Sequence, residues 1–121
     1  SYLAQDIGTE LTFNEIRKLI KKNSGISCIA LMGGDAEPDK VNTLASFITN
    51  HYDSIKVAWY SGRQELSSVI DLFNFDYIKL GPYKEEFGPL NSRTTNQRFY
   101  KVNGKELVDI TNKFWKHETE N

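Results

Sequence analysis

Three short stretches place glycine or lysine beside residues able to bond a small polar ligand. Gly33-Gly34-Asp35-Ala36-Glu37-Pro38 follows an apolar run. Two glycines let a ligand approach the backbone closely and leave amides and carbonyls free to bond it. Asp35 or Glu37 would then answer an ammonium group. The same residues also describe a tight strand-to-helix turn with Pro38 at the first helical position. Tyr60-Ser61-Gly62-Arg63 ends a second apolar run. Ser61 and Arg63 either contact a polar ligand or act as a helix N-cap and a solvated cation. Lys79 lies inside a third apolar run, where it either points into a site or snorkels to water from an edge. A fourth stretch, Asn91-Ser92-Arg93-Thr94-Thr95-Asn96-Gln97-Arg98, is the densest polar cluster. It reads as a clamp for a ligand or partner chain, or as a solvated loop.

Several other chemistries are excluded. The sequence has no Gly-rich P-loop ending in Gly-Lys-Ser/Thr, no G-x-G-x-x-G and no G-x-S-x-G. One cysteine, Cys28, cannot form an internal disulfide or supply a Cys-rich metal site alone. It sits inside an apolar run and reads as a small core residue. His51 and His117 lack neighbours at metal-ligand spacing and read as surface residues. Lys+Arg is 15 and Asp+Glu is 16, a net charge of −1 that gives no electrostatic case for nucleic acid or a membrane surface. No apolar run has the roughly 18–20 residues of a membrane span. The 121 residues suit one domain, and 39% hydrophobic with 26% charged residues argues against disorder.

The elements that must position these groups alternate. Residues 1–10 show no clear period. Thr12 and Glu15 form a capping box. Phe13, Ile16, Leu19 and Ile20 then mark one helical face, and Lys21, Lys22 and Gly25 mark its end. Residues 26–32 read as a strand buried on both faces, as in a parallel sheet. Val41, Leu44, Ala45, Ile48 and Tyr52 predict a second helix, and residues 55–60 a second strand. Leu66, Val69, Ile70 and Phe73 predict a third helix, and residues 75–80 a third strand. The order is α-β-α-β-α-β, which suits right-handed crossovers of a parallel α/β fold. It opens with a helix, as if a strand preceded it. Residues 81–98 form a long polar loop, uncommon unless functional. Residues 97–102 predict a short strand with a turn at Asn103-Gly104. Residues 109–117 predict a closing helix with Ile110, Phe114 and Trp115 inward. The tail 118–121 should fray.

Four segments together resemble the activating proteins of anaerobic ribonucleoside-triphosphate reductase, small radical S-adenosylmethionine (SAM) enzymes. They are Ala30-Leu31-Met32-Gly33-Gly34-Asp35, Trp59-Tyr60-Ser61-Gly62-Arg63, Tyr77-Ile78-Lys79-Leu80-Gly81-Pro82-Tyr83, and the loop from Gly88-Pro89-Leu90-Asn91-Ser92 to Thr95-Asn96-Gln97-Arg98-Phe99. Their order and spacing match, over roughly residues 1–102. The resemblance implies an α/β fold of the partial parallel β/α barrel type. It implies a Cys-x3-Cys-x2-Cys loop holding a [4Fe–4S] cluster, because three irons need thiolates while a fourth stays open for SAM. In that family the cluster and SAM carry the radical chemistry, which places a glycyl radical on the reductase.

This chain lacks the cysteine triad. Ser1-Tyr2-Leu3-Ala4-Gln5-Asp6 resembles the segment after the last cluster cysteine. The resemblance therefore implies a single-domain fragment, truncated before Ser1 and lacking the barrel's first strand and cluster loop. By the same resemblance, Gly33, Gly34 and Asp35 match the turn for the SAM amino group, and Ser61 and Gly62 a strand end lining the SAM pocket. Lys79 matches a position facing the barrel interior. Asn91, Ser92, Asn96, Gln97 and Arg98 fall in a loop facing partner or substrate. The implied protein is cytoplasmic, and its partner is the large subunit of anaerobic ribonucleotide reductase. This chain, without the cluster, is expected to be inactive and to bind SAM weakly or not at all. An uncovered sheet edge beside the Gly33 run would invite a homodimer. Two other readings stand beside this one: an activase of another glycyl radical enzyme such as pyruvate formate-lyase, and a complete non-catalytic α/β ligand-binding or interaction module.

Overall fold

A computed structural model describes residues 1–8 and 11–115. The chain is mixed α/β: a six-stranded sheet in sequence order, with two α-helices. The strands are β1 (Tyr2–Asp6), β2 (Cys28–Met32), β3 (Lys56–Tyr60), β4 (Tyr77–Leu80), β5 (Arg98–Asn103) and β6 (Glu106–Asp109). The helices are α1 (Phe13–Lys22), between β1 and β2, and α2 (Pro38–His51), between β2 and β3. Strands β1 to β4 pair in parallel, whereas β4–β5 and β5–β6 are antiparallel. The sheet is therefore parallel only over its first four strands.

The first two predicted helices form where the patterning places them. The Glu15 amide donates to the Thr12 hydroxyl at 3.3 Å, and that hydroxyl donates to the Glu15 carboxylate at 3.3 Å. The Glu15 side chain thus closes on the Thr12 hydroxyl. Pro38 opens α2, where its missing N–H costs nothing. Ile16 of α1 and Val41, Leu44, Ala45 and Ile48 of α2 join Ile29, Leu31, Val57, Trp59 and Ile78 of the sheet in one buried cluster. Each Val, Leu or Ile side chain of this cluster contributes about 1.5–3 kcal/mol through its burial.

Four expectations are corrected. Tyr2–Asp6 is a strand, so the order opens with β and not with a helix. Its register, from Tyr2 opposite Cys28 to Asp6 opposite Met32, covers the edge of β2 that was expected to stand open. Backbone pairing makes this strand, with Leu3 and Gln5 only half-buried and the apolar anchor, Ile7, lying just beyond it. The third helix is absent. Residues 61–76 cross from β3 to β4 through turns and one 3-10 turn at Leu72–Asn74. Leu66 and Ile70 face inward, but Val69 and Phe73 are 44% and 64% exposed, so the four share no buried face. The Asn42 side chain holds this crossover instead, donating to the Val69 carbonyl at 2.6 Å and accepting from the Asp71 amide at 2.9 Å.

At the other end, the closing helix is replaced by the β5–β6 hairpin and a 3-10 turn at Thr111–Phe114. The hairpin turns at Gly104-Lys105, directly after Asn103. The Thr111 hydroxyl, fully buried, accepts from the Phe99 amide at 2.8 Å and docks the turn on β5. Phe114 stays 39% exposed rather than inward. His117 and the tail 118–121 lie outside the described residues. Finally, β2 is not buried throughout: Ile29, Ala30 and Leu31 are buried, Cys28 is half-buried and Met32 is 40% exposed.

Candidate functional site

In a parallel sheet the strands deliver their side chains and loops to one carboxyl edge. Here three such exits are bonded to one another. After β2, Gly33 and Gly34 both adopt positive φ, +85° and +76°. The Gly33 amide donates to the Tyr60 carbonyl at 3.2 Å, and its carbonyl accepts from the Trp59 indole at 2.7 Å. After β3, the Ser61 hydroxyl donates to one Asp35 oxygen at 2.5 Å, and the Gly62 amide donates to the other at 3.1 Å. The Ser61 amide donates to the Lys79 carbonyl at 2.8 Å, and the Gly81 amide to the Arg63 carbonyl at 2.7 Å. Gly33, Gly34, Asp35, Ser61 and Gly62 are thus brought together as the spacing predicts. The Asp35 carboxylate does not stand free: both oxygens hold the next loop. Ser61 caps no helix, since none follows; its hydroxyl accepts from the Arg63 amide at 3.1 Å.

The polar loop divides. Asn96 donates through Nδ2 to Gln64 Oε1 at 2.7 Å and to the Pro82 carbonyl at 3.1 Å. Gln97 is buried, with Nε2 donating to the Gly81 carbonyl at 3.3 Å. These two residues clasp the β3 and β4 exits from within. The Ser92 hydroxyl lies 2.9 Å from that of Thr94, which donates to the Phe87 carbonyl at 2.6 Å. Asn91 is half-buried. Arg98 sits apart from this edge, 3.6 Å from Asp109 on the neighbouring strand. The loop is therefore ordered by its own bonds, and one 3-10 turn at Glu85–Phe87 interrupts it.

The sheet face opposite the helices carries a cavity of about 490 Å³. Cys28, Ala58, Tyr60, Tyr77, Lys79 and Phe99 form its floor, with Tyr2 at one side and Leu90 and Phe114 beside it. The register places Tyr2 beside Cys28, Ala58 beside Tyr77, Tyr60 beside Lys79 and Lys79 beside Phe99, so these side chains share one face. Lys79 lines this cavity. Its Nζ lies 4.6 Å from the centroid of the Tyr60 ring. Among the described residues no carboxylate lies within 4.0 Å of it. Burial lowers the Lys79 pKa from its usual value. Burial first, and then Tyr2 close by, push the Tyr60 phenol up to about 12. The Cys28 thiol is raised by burial and by Asp76, with Lys56 and the N-terminus opposing. Cys28 therefore lines the cavity instead of filling the core.

Sequence reasoning missed Cys28, Tyr77 and Phe99 as cavity groups. Period-two alternation through Cys28-Ala30, Ala58-Tyr60 and Tyr77-Lys79 was the signal that puts them on one face. Among the described residues no three His, Cys, Asp or Glu side chains gather around a possible metal position. No helix among them is long and apolar enough to cross a membrane. Compared with family models, curated proteins and solved structures, the chain finds no match.

Proposed function

We propose that this chain is the SAM-binding portion of a radical SAM activase that serves anaerobic ribonucleotide reductase, and that it is inactive by itself. The observation that carries this reading is the junction of Asp35 with Ser61 and Gly62. Through it, two of the segments that resemble the activases meet at one carboxyl edge. The third segment contributes Lys79, and the fourth contributes Asn96 and Gln97, which clasp the same edge. The four parallel strands β1 to β4 are compatible with a partial barrel whose inner face is the cavity face.

The residues present fit SAM and do not fit the cluster. The Gly33 and Gly34 carbonyls each accept one bond within the fold, from the Trp59 indole and the Glu37 amide, and keep a second lone pair for an ammonium, while Lys79 is a cation available to the carboxylate of the amino-acid end. When bound beside a reduced [4Fe–4S] cluster, SAM supplies a 5′-deoxyadenosyl radical. A cluster with one open iron needs three thiolates, and Cys28 is one thiol on a strand. Cluster ligands would therefore lie outside these 121 residues.

The parallel edge and cavity also suit a non-catalytic ligand-binding module, a reading favoured by the turn's own saturation of Asp35. The coding sequence upstream of Ser1 separates the two. Cys-x3-Cys-x2-Cys immediately before it supports the activase; a start codon directly before Ser1 overturns it. Calorimetric titration of this chain with SAM is expected to show weak binding at most. Tight binding without a cluster would contradict the view that iron is the main anchor.

A further inference from the structure

We infer that Asp35 is a positioning residue: its carboxylate acts on ligand binding through Ser61 and Gly62 rather than by pairing with a ligand ammonium. This rests on the SAM-pocket reading and refines the role of the Gly33 turn within it.

The geometry carries the inference in three steps. Both Asp35 oxygens already accept from the loop after β3, one from the Ser61 hydroxyl at 2.5 Å and one from the Gly62 amide at 3.1 Å. Charge-assisted hydrogen bonds of this kind are short and stronger than neutral ones. A ligand ammonium at the same oxygens would compete with donors supplied at no cost in association. Second, Ser61 is 3% exposed and bonded on each side. Its hydroxyl accepts from the Arg63 amide at 3.1 Å, and its own amide donates to the Lys79 carbonyl at 2.8 Å. A shift of Asp35 is therefore passed to the backbone beneath Lys79, the cation of the cavity. Third, Gly62 lies beside the carboxylate: a Cβ there would stand 3.5 Å from Asp35 Oδ2, in ordinary van der Waals contact. The loop lies directly against the group that orients it.

An asparagine can keep this arrangement. Its Oδ1 accepts from the Gly62 amide and its Nδ2 donates to the Ser61 hydroxyl, whose own O–H must then turn away from residue 35, so the junction survives with its second bond reversed and uncharged. It cannot supply the negative charge an ammonium needs. Asp35→Asn therefore separates positioning from direct pairing, and Asp35→Ala removes both.

The test titrates the wild type, Asp35→Asn and Asp35→Ala with SAM and with 5′-methylthioadenosine, following protein amide resonances. The second compound keeps the adenosine and lacks the amino-acid end. Positioning predicts that Asp35→Ala weakens both compounds by a similar factor, about tenfold or more, since two charge-assisted bonds are lost and one alone is worth about tenfold. Asp35→Asn should lose less than Asp35→Ala, and by the same factor for both compounds, because the junction survives without its charge. An Asp35→Asn variant that loses affinity for SAM alone overturns the inference in favour of direct ammonium pairing. If the wild type binds neither compound at millimolar concentration, an outcome allowed where iron is the main anchor, amide exchange decides the positioning and the upstream coding sequence tests the pocket reading. Faster exchange at Gly62 and Arg63 in Asp35→Ala but not in Asp35→Asn supports it; unchanged exchange in Asp35→Ala overturns it.

Discussion

Lys79 and Tyr60 are neighbours across β3 and β4, and the Lys79 ammonium stands 4.6 Å from the centre of the Tyr60 ring. The ring face offers the cation partial compensation, and no described carboxylate lies within 4.0 Å to complete it. The two groups are pushed in opposite directions by the same burial, the amine down and the phenol up.

For Lys79 the linkage runs as stability gained with rising pH. The unfolded amine holds its proton up to about 10.5, whereas the folded amine releases it earlier. Between those values the unfolded chain binds more protons, so unfolding becomes less favourable as pH climbs. Lys79→Met should abolish that gain. It should also raise Tm at neutral pH by a few degrees, on the scale where about 1 kcal/mol moves Tm by roughly 4–8 °C in a small domain. Thermal unfolding of both proteins at neutral and alkaline pH checks this. A Tm that falls on substitution would mean that the contact with Tyr60 outweighs the burial cost.

For Tyr60 the sign is reversed. The unfolded phenol ionises near 10.0 and the folded one at about 12, so the folded protein binds more protons between these values and loses stability as pH rises through them. Tyr60→Phe should remove that loss. Tyr2→Phe should move the Tyr60 titration back toward its usual value, since Tyr2 contributes to the shift after burial. Tyrosinate absorbance across an alkaline titration reads both effects. An unmoved Tyr60 midpoint in Tyr2→Phe would show that the two hydroxyls do not communicate.

How far this arrangement was legible depends on which force shapes each part. Strands β2, β3 and β4 showed as apolar runs because Ile29, Leu31, Val57, Trp59 and Ile78 pack on the helices. Strand β1 did not, because pairing with β2 holds it more than buried side chains do. Leu66, Val69, Ile70 and Phe73 fall at helical spacing by composition alone, and tertiary bonds from Asn42 override that spacing. The glycine turns were readable as strand exits at one carboxyl edge. The partner of Asp35 was not, since a 26-residue separation from Ser61 is closed only by the β2–β3 register.

Cys28 should behave as a slow thiol. Burial raises its pKa most, the Asp76 charge adds to this, and Lys56 and the N-terminus only partly oppose them. Less thiolate is present near pH 8 than on an unfolded chain, and the thiolate is the nucleophile. Alkylation by iodoacetamide should run more slowly in the native protein than in denaturant. Asp76→Asn should speed the native reaction without altering the denatured one. A native rate equal to the denatured rate would place the thiol in water and away from the cavity floor.

Gly34 combines two constraints that can be separated by mutation. Its φ is +76°, and an added Cβ would lie 2.8 Å from Val41 Cγ2 and 2.9 Å from Ile7 Cδ1. Val41 and Ile7 are buried core side chains, and one or both must shift for the methyl to fit. Gly104, in the β5–β6 turn, has a similar φ of +64° with nothing within 4 Å of its Cβ position. Gly104→Ala should therefore cost only the left-handed backbone penalty, about 1–2 kcal/mol. Gly34→Ala should add overpacking of about 1–3 kcal/mol to the same penalty. Urea unfolding of both variants checks the difference. Equal losses would mean that the turn after β2 relaxes away from Ile7 and Val41, and that this edge is looser than its bonds to Tyr60 and Trp59 imply.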